Sequence, residues 1–146
     1  MLGSCFADNI GKKFAEHYFQ TTINPYGTLY NPASILSAIQ EGSFRVLHHH
    51  GLWHSMSHHG SFSHMDRSVL IDRCEQSHAH LARAMHEANI LIVTLGTSWV
   101  YEYEGMVVAN CHKMPASEFV RRRMTVEEIV NSWERVISNM PDKRWI

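Results

Sequence analysis

Ile90-Leu91-Ile92-Val93-Thr94-Leu95-Gly96 is the stretch on which the fold turns. It is an uncharged apolar run rich in β-branched residues, closed by a glycine. That is the pattern of a central parallel strand covered on both faces. Upstream, Asp66 predicts the start of a long helix reaching about Glu87, with Leu70, Cys74, Leu81 and Met85 in its buried stripe. Downstream, residues 99–109 predict a hairpin turning at Glu104-Gly105. Thr125 and Glu128 then form a capping-box pattern. The helix they open carries Val126, Ile129, Val130, Trp133, Val136, Ile137 and Met140, and Pro141 closes it. Arg144-Trp145-Ile146 reads as the first residues of a further strand.

Toward the amino end, residues 4–19 predict a helix capped by Ser4, with Phe6, Ile10 and Phe14 on one face. Thr21-Thr22-Ile23-Asn24 is β-favouring and stops at Pro25. Asn31-Pro32 starts a second helix, with Ile35, Leu36 and Ile39 as its apolar stripe and Gly42 at its end. Residues 43–64 read as loop or short strands. This alternation of helices and strands is that of an α/β domain with a parallel sheet. Both ends of the chain fall in or beside predicted strands. Residues 1–146 are therefore expected to be one partial domain, truncated, with an incomplete parallel sheet.

The 146 residues and 45% hydrophobic content suffice for one buried core. The net charge of −1 gives no general attraction to nucleic acid or to an anionic membrane. Arg121-Arg122-Arg123 reads as a solvated helix face. No apolar stretch is long enough to span a membrane. The cysteines, Cys5, Cys74 and Cys111, are odd in number and far apart, which argues against a disulfide framework and fits a reducing compartment. The chain shows no leader before Gly3-Ser4, so a cytoplasmic location is favoured, with the compartment otherwise open.

Two places carry candidate chemistry. Ser4 stands where a strand would turn into a helix. It is either a simple helix cap or a nucleophile whose hydroxyl meets the positive end of the helix, where an oxyanion is also stabilised. The second place is the histidine block: seven of the twelve histidines lie between His48 and His64. His54, His58 and His59 line a substrate cleft, or are structural, or bind Zn²⁺ or Ni²⁺; the spacing is not that of a zinc-protease helix. His48-His49-His50 reads as an exposed loop. Cys111 and His112 would point to opposite faces of a strand and so make no catalytic pair. Cys5 reads as packing.

Leu-Gly-Ser-Cys-Phe-Ala-Asp-Asn-Ile-Gly (2–11) resembles the signature of the GSCFA family. The resemblance continues through residues 24–35, 53–63, 94–101 and 108–115, in order, over nearly the whole chain. The family is similar to the SGNH (GDSL-type) hydrolases, which implies a three-layer α/β/α, flavodoxin-like fold. Ser4 then matches the nucleophile. The oxyanion hole is implied to be the Ser4 N–H, Gly27, and Ser98 of Gly96-Thr97-Ser98, where the wider group has Asn. The base is implied to lie in an Asp-x-x-His-like segment near the carboxyl end. Neither that segment nor the Ser-Pro-Val-Arg-His-like one before it occurs in residues 1–146.

The expectation is thus a serine esterase, acyl hydrolase or acyltransferase acting on O-acyl groups of a small molecule or carbohydrate, inactive as these 146 residues alone. Asn31, Thr97, His54, His58 and His59 are expected to bind substrate, with no cofactor, metal or nucleic acid. The alternatives are a non-catalytic carbohydrate- or ligand-binding domain and, behind it, a metal-binding protein. The enzymatic reading further expects Ser4 to be partly exposed, on the same sheet edge as Gly96-Thr97-Ser98, with one of the three histidines bordering the cleft; a buried Ser4, or one on the opposite edge, would read as a helix cap and favour the ligand-binding domain.

Overall fold

The computed structural model describes residues 1–40 and 42–146. In chain order its elements are β1 (Leu2–Gly3), α1 (Cys5–Glu16), α2 (Pro32–Gln40), β2 (Val46–His49), β3 (Leu52–Ser55), β4 (Ser63–His64), α3 (Arg67–Glu87), β5 (Ile90–Leu91), β6 (Val93–Thr94), β7 (Trp99–Tyr103), β8 (Met106–Val108), β9 (Val120–Arg123), α4 (Val126–Ser138) and β10 (Arg144–Trp145). The protein is mixed α/β, with four α-helices and several small sheets among the described residues.

The apolar run at 90–95 is central. β1 pairs with β6 in parallel, Leu2 opposite Val93 and Gly3 opposite Thr94. On the other side β10 pairs with β5 in parallel, Arg144 opposite Ile90. Ile92, between β5 and β6, accepts the Leu2 N–H through its carbonyl at 2.9 Å. Full cover on both faces is not seen: Leu91 is buried, but Ile90 and Leu95 are each 50% exposed. Residues 21–24 form no strand, yet they run beside Met1, whose amino group donates to the Thr22 carbonyl and whose carbonyl accepts the Asn24 N–H.

The main core gathers Leu2, Tyr26, Leu29, Ile35, Ala38 and Leu81, with Val93, Met85 and Trp133 packed around it. It joins β1 and β6 to α2, α3 and α4. A smaller cluster of Phe62, Leu70 and Cys74 lies between α3 and the antiparallel sheet β2-β3-β4. Local signals place the helices. Asp66 accepts the Ser68 and Val69 N–H groups at the start of α3, and Thr125 and Glu128 make both bonds of their capping box on α4.

Several expectations are corrected. Of the apolar face predicted for α1, Phe6 is 59% exposed and Ile10 and Phe14 are only half-buried, while the residues buried on the helix are Ala7 and Gly11. A Cβ on Gly11 would stand 2.6 Å from the Ile23 side chain, so the helix approaches its neighbour through small residues. On α4, Val126, Val130 and Ile137 point outward, leaving Val136 and Trp133 on the inner side. The arginine run is not helical. It forms β9, which pairs antiparallel with β7. The hairpin β7-β8 does turn at Glu104-Gly105, both at positive φ (49° and 77°), the two-residue geometry that matches strand twist. Cys5 is exposed rather than packed, and all three cysteines are free thiols. Among the described residues no helix is long and apolar enough to cross a membrane.

Candidate active site

The site grows from the junction of β1 and α1. Gly3 has a φ of 133°, and a Cβ there would lie 2.1 Å from the Thr94 carbonyl oxygen. Only glycine lets β1 lie this close to β6 and turn into the helix. The next residue, Ser4, is the N-cap: its Oγ accepts the Phe6 N–H at 3.3 Å. Its own N–H is shared between the carbonyl and the Oγ1 of Thr94, both at 3.0 Å. The two hydroxyls, Ser4 Oγ and Thr94 Oγ1, lie 3.0 Å apart. Ser4 is 8% exposed, so the expected partial exposure is not met; the cap and Thr94 enclose it.

Gly96 stands beside Ser4. A Cβ on Gly96 would meet the Tyr30 ring at 2.9 Å and the Ser4 Cβ at 3.4 Å. The Gly96 and Thr97 N–H groups both donate to the Tyr30 carbonyl, at 2.8 and 3.0 Å. Ser4 and Gly96, 92 positions apart, therefore share one edge of the parallel strands at their carboxyl ends, the edge at which open α/β sheets bind ligands. Thr97 Oγ1 accepts the Trp99 N–H at 3.1 Å, and the Ser98 carbonyl accepts the Met124 N–H at 2.9 Å.

The loop carrying Gly27 is tied to the same junction by side chains that the sequence did not reveal. Asn24, buried and at a φ of 41°, accepts the Gly3 N–H through Oδ1 at 2.8 Å. Its amide donates to Asp8 Oδ1 at 2.5 Å, and Thr28 Oγ1 donates to Asp8 Oδ2 at 3.3 Å. Leu29 N–H donates to the Gly3 carbonyl at 2.9 Å. Gly27 sits at a φ of 74° with its N–H on the Asn24 carbonyl at 2.7 Å, and a Cβ there would meet the His59 Cβ at 2.4 Å. His59 thus borders this loop at Gly27. Asn31 is buried and caps α2, its Oδ1 accepting the Ser34 N–H at 2.8 Å.

His54, His58 and His112 face inward. His58 is fully buried, stacked between Tyr26 (4.0 Å between centroids) and Phe62 (4.3 Å). Its Nδ1 shares a 2.7 Å hydrogen bond with Ser55 Oγ, and among the described residues its Nε2 has no partner. His54 bonds to Ser63 Oγ at 2.7 Å and donates to the His49 carbonyl at 3.2 Å. It lies against His112, whose Nε2–H donates to the Ser55 carbonyl at 2.8 Å. His112 is not in a strand: it and Lys113 hold positive φ, at 47° and 60°. Among the described residues no three His, Cys, Asp or Glu side chains converge where they could hold a metal. A cavity of about 570 Å³ opens at the amino end of the strands, lined by Leu2, Phe14, Leu81, Met85 and Ile90, and none of the candidate residues lines it.

Burial, helped by Arg73 and His78, pushes the His58 imidazole down to about 3. Above pH ~6.5 the ring is neutral in both folded and unfolded chains. Below that, the unfolded chain takes a proton that the fold refuses, so stability is lost as pH falls from ~6.5 toward 3. Between pH 6.5 and 5 the loss is about 2 kcal/mol, at about 1.4 kcal/mol per unit. Burial holds His112 down as well, so it acts in the same direction. Urea unfolding at pH 7 and pH 5 measures the loss, and His58→Gln should flatten it. An unchanged slope would remove His58 as its source.

Fold and site together define a mixed α/β domain that presents a serine at a strand-to-helix turn, against a glycine following the neighbouring parallel strand. The chain belongs to the GSCFA family, whose model matches residues 1–144. No curated protein and no solved structure matches it.

Proposed function

We propose that this domain serves acyl transfer on O-acyl groups, as an esterase, acyl hydrolase or acyltransferase, with Ser4 as nucleophile. One observation carries the reading: the Ser4 hydroxyl caps a 12-residue helix at the carboxyl end of a parallel strand, against Gly96. Negative charge developing on a substrate oxygen there meets the positive end of the helix. In this reading β1, β5-β6 and β10 belong to a flavodoxin-like three-layer sheet. The oxyanion donors are the Ser4 and Gly27 N–H groups and the Ser98 hydroxyl. The first two would exchange their bonds to Thr94 and Asn24 for bonds to the oxyanion. Thr97 and His59 border the substrate, a small-molecule or carbohydrate acyl ester, while His58, enclosed by aromatic rings, holds the wall behind them.

A serine hydroxyl is a weak nucleophile until a base takes its proton. Among the described residues no histidine or carboxylate bonds to Ser4 Oγ. The resemblance puts the base in an Asp-x-x-His-like segment, which residues 1–146 do not contain. In a chain that carries this base, a fluorophosphonate probe should label Ser4, and Ser4→Ala should abolish the label. Label that survives Ser4→Ala would move the nucleophile elsewhere, first to the exposed Cys5. No label at all would favour a second reading, a non-catalytic carbohydrate- or ligand-binding domain. That reading draws on the near-complete burial of Ser4 and the engagement of its hydroxyl as a cap.

A further inference from the structure

Strand β7 leaves the Ser4 edge directly, and its two faces differ in kind. Val100 is fully buried, and Arg122, its partner on β9, is held by Glu102 at 2.7 Å and Glu128 at 2.9 Å. The opposite face pairs Trp99 with Arg123 and Tyr101 with Arg121. Trp99 and Tyr101 remain 41% and 38% exposed. The Arg121 guanidinium lies over the Trp99 ring, 4.0 Å from its centroid, and 5.9 Å from that of Tyr101. Among the described residues neither Arg121 nor Arg123 has a carboxylate partner, whereas Arg122 takes two. The run of three arginines is thus divided by strand alternation into one structural cation and two unpaired ones.

We infer that this outer face of β7 and β9 is a binding subsite for a carboxylated sugar. A carboxylated pyranose presents an apolar C–H face and an anionic group within one ring. Trp99 and Tyr101 offer flat surface for the first. Arg121, whose guanidinium lies over the Trp99 ring, offers planar N–H donors for the second, with Arg123 beside it. A neutral sugar would leave both guanidiniums unmatched, and the near-zero net charge supplies no wider field for a nucleic acid. The placement ties the face to the candidate active site: Trp99 is three residues from Gly96, so it lies within about 11 Å of it along the chain. The inference rests on the acyl-transfer reading only for that link; binding itself does not.

The test is calorimetric titration of the purified chain with oligogalacturonate, alongside a neutral oligosaccharide of equal length, inorganic sulfate and a polyglutamate peptide. Oligogalacturonate should bind and perturb Trp fluorescence, and the neutral sugar and sulfate should bind at least about tenfold more weakly. Arg121→Gln and Trp99→Ala should each weaken binding about tenfold, a loss of about 1.4 kcal/mol. Arg121→Lys, which keeps the charge and the fold, should recover only part of it. Ser4→Ala should bind as the parent does, so loss of the acyl-transfer reading and loss of this one remain separate results. Equal binding of the neutral sugar, stronger binding of polyglutamate, or affinity unchanged in both Arg121→Gln and Trp99→Ala would overturn the inference.

Discussion

With p-nitrophenyl acetate as substrate, residues 1–146 alone are expected to show no turnover that depends on Ser4. The Ser4 hydroxyl lies 3.0 Å from Thr94 Oγ1 and accepts the Phe6 N–H, and neither partner accepts a proton at neutral pH. In serine hydrolases, loss of a triad partner costs on the order of 10⁴ in rate, or about 5.5 kcal/mol of transition-state stabilisation. A chain in which an Asp-x-x-His-like segment reaches Ser4 should therefore run about 10⁴ faster. Ser4→Ala should bring it back to the level of the 146 residues. Robust Ser4-dependent turnover by residues 1–146 would refute the missing-base argument and require a base among the residues already present.

Gly3→Ala is expected to destabilise the fold by about 3 kcal/mol or more, from a strained backbone and an overpacked contact together. The added methyl group would meet a backbone oxygen, that of Thr94, at 2.1 Å, and no side-chain rotation can relieve it. β1 would have to part from β6, and the Ser4 junction would move with it. Gly51 isolates the two causes. It also has a positive φ, 76°, but an added Cβ there meets nothing within 4 Å. Gly51→Ala should therefore cost only the left-handed backbone strain, about 1 kcal/mol. Urea midpoints for the two variants measure the difference. If Gly3→Ala lost no more than Gly51→Ala, the close approach of β1 and β6 would not be what glycine serves at position 3.

What the sequence made legible was local chemistry. Asp66, Asn31 and the Thr125-Glu128 pair announced helix starts because a cap acts over three residues. Glu104-Gly105 announced a hairpin for the same reason. The parallel pairing of Ile90–Thr94 followed from an uncharged β-branched run. The face of α1 did not follow, because hydrophobic periodicity assumes that large residues pack, whereas Ala7 and Gly11 make the contact. β9 was hidden by its charges; three arginines in a row carry no apolar alternation, and only pairing with β7 separates their faces. At the site, Ser4 and Gly96 could be named from the resemblance, and the fold sets them side by side, a Cβ on Gly96 standing 3.4 Å from the Ser4 Cβ. Thr94, Tyr30 and Asp8 could not be named, because each acts on a partner 16 or more positions away. The burial of His58 was equally illegible: nothing in Trp-His-Ser-Met-Ser-His-His says which ring enters between Tyr26 and Phe62.

The bonds among Asp8, Asn24 and Gly3 also bear on how such a chain can change over generations. Asn24 is buried, and it answers the Gly3 N–H with its oxygen and Asp8 with its amide. Replacing Asn24 leaves the Gly3 N–H and Asp8 short of a partner, and replacing Asp8 leaves the Asn24 amide short of one, which costs more than the lost bond itself. A single substitution is thus penalised where a coordinated set need not be. Positions 8 and 24 are thus expected to change together rather than singly, beside a glycine whose added Cβ would meet the Thr94 carbonyl oxygen at 2.1 Å.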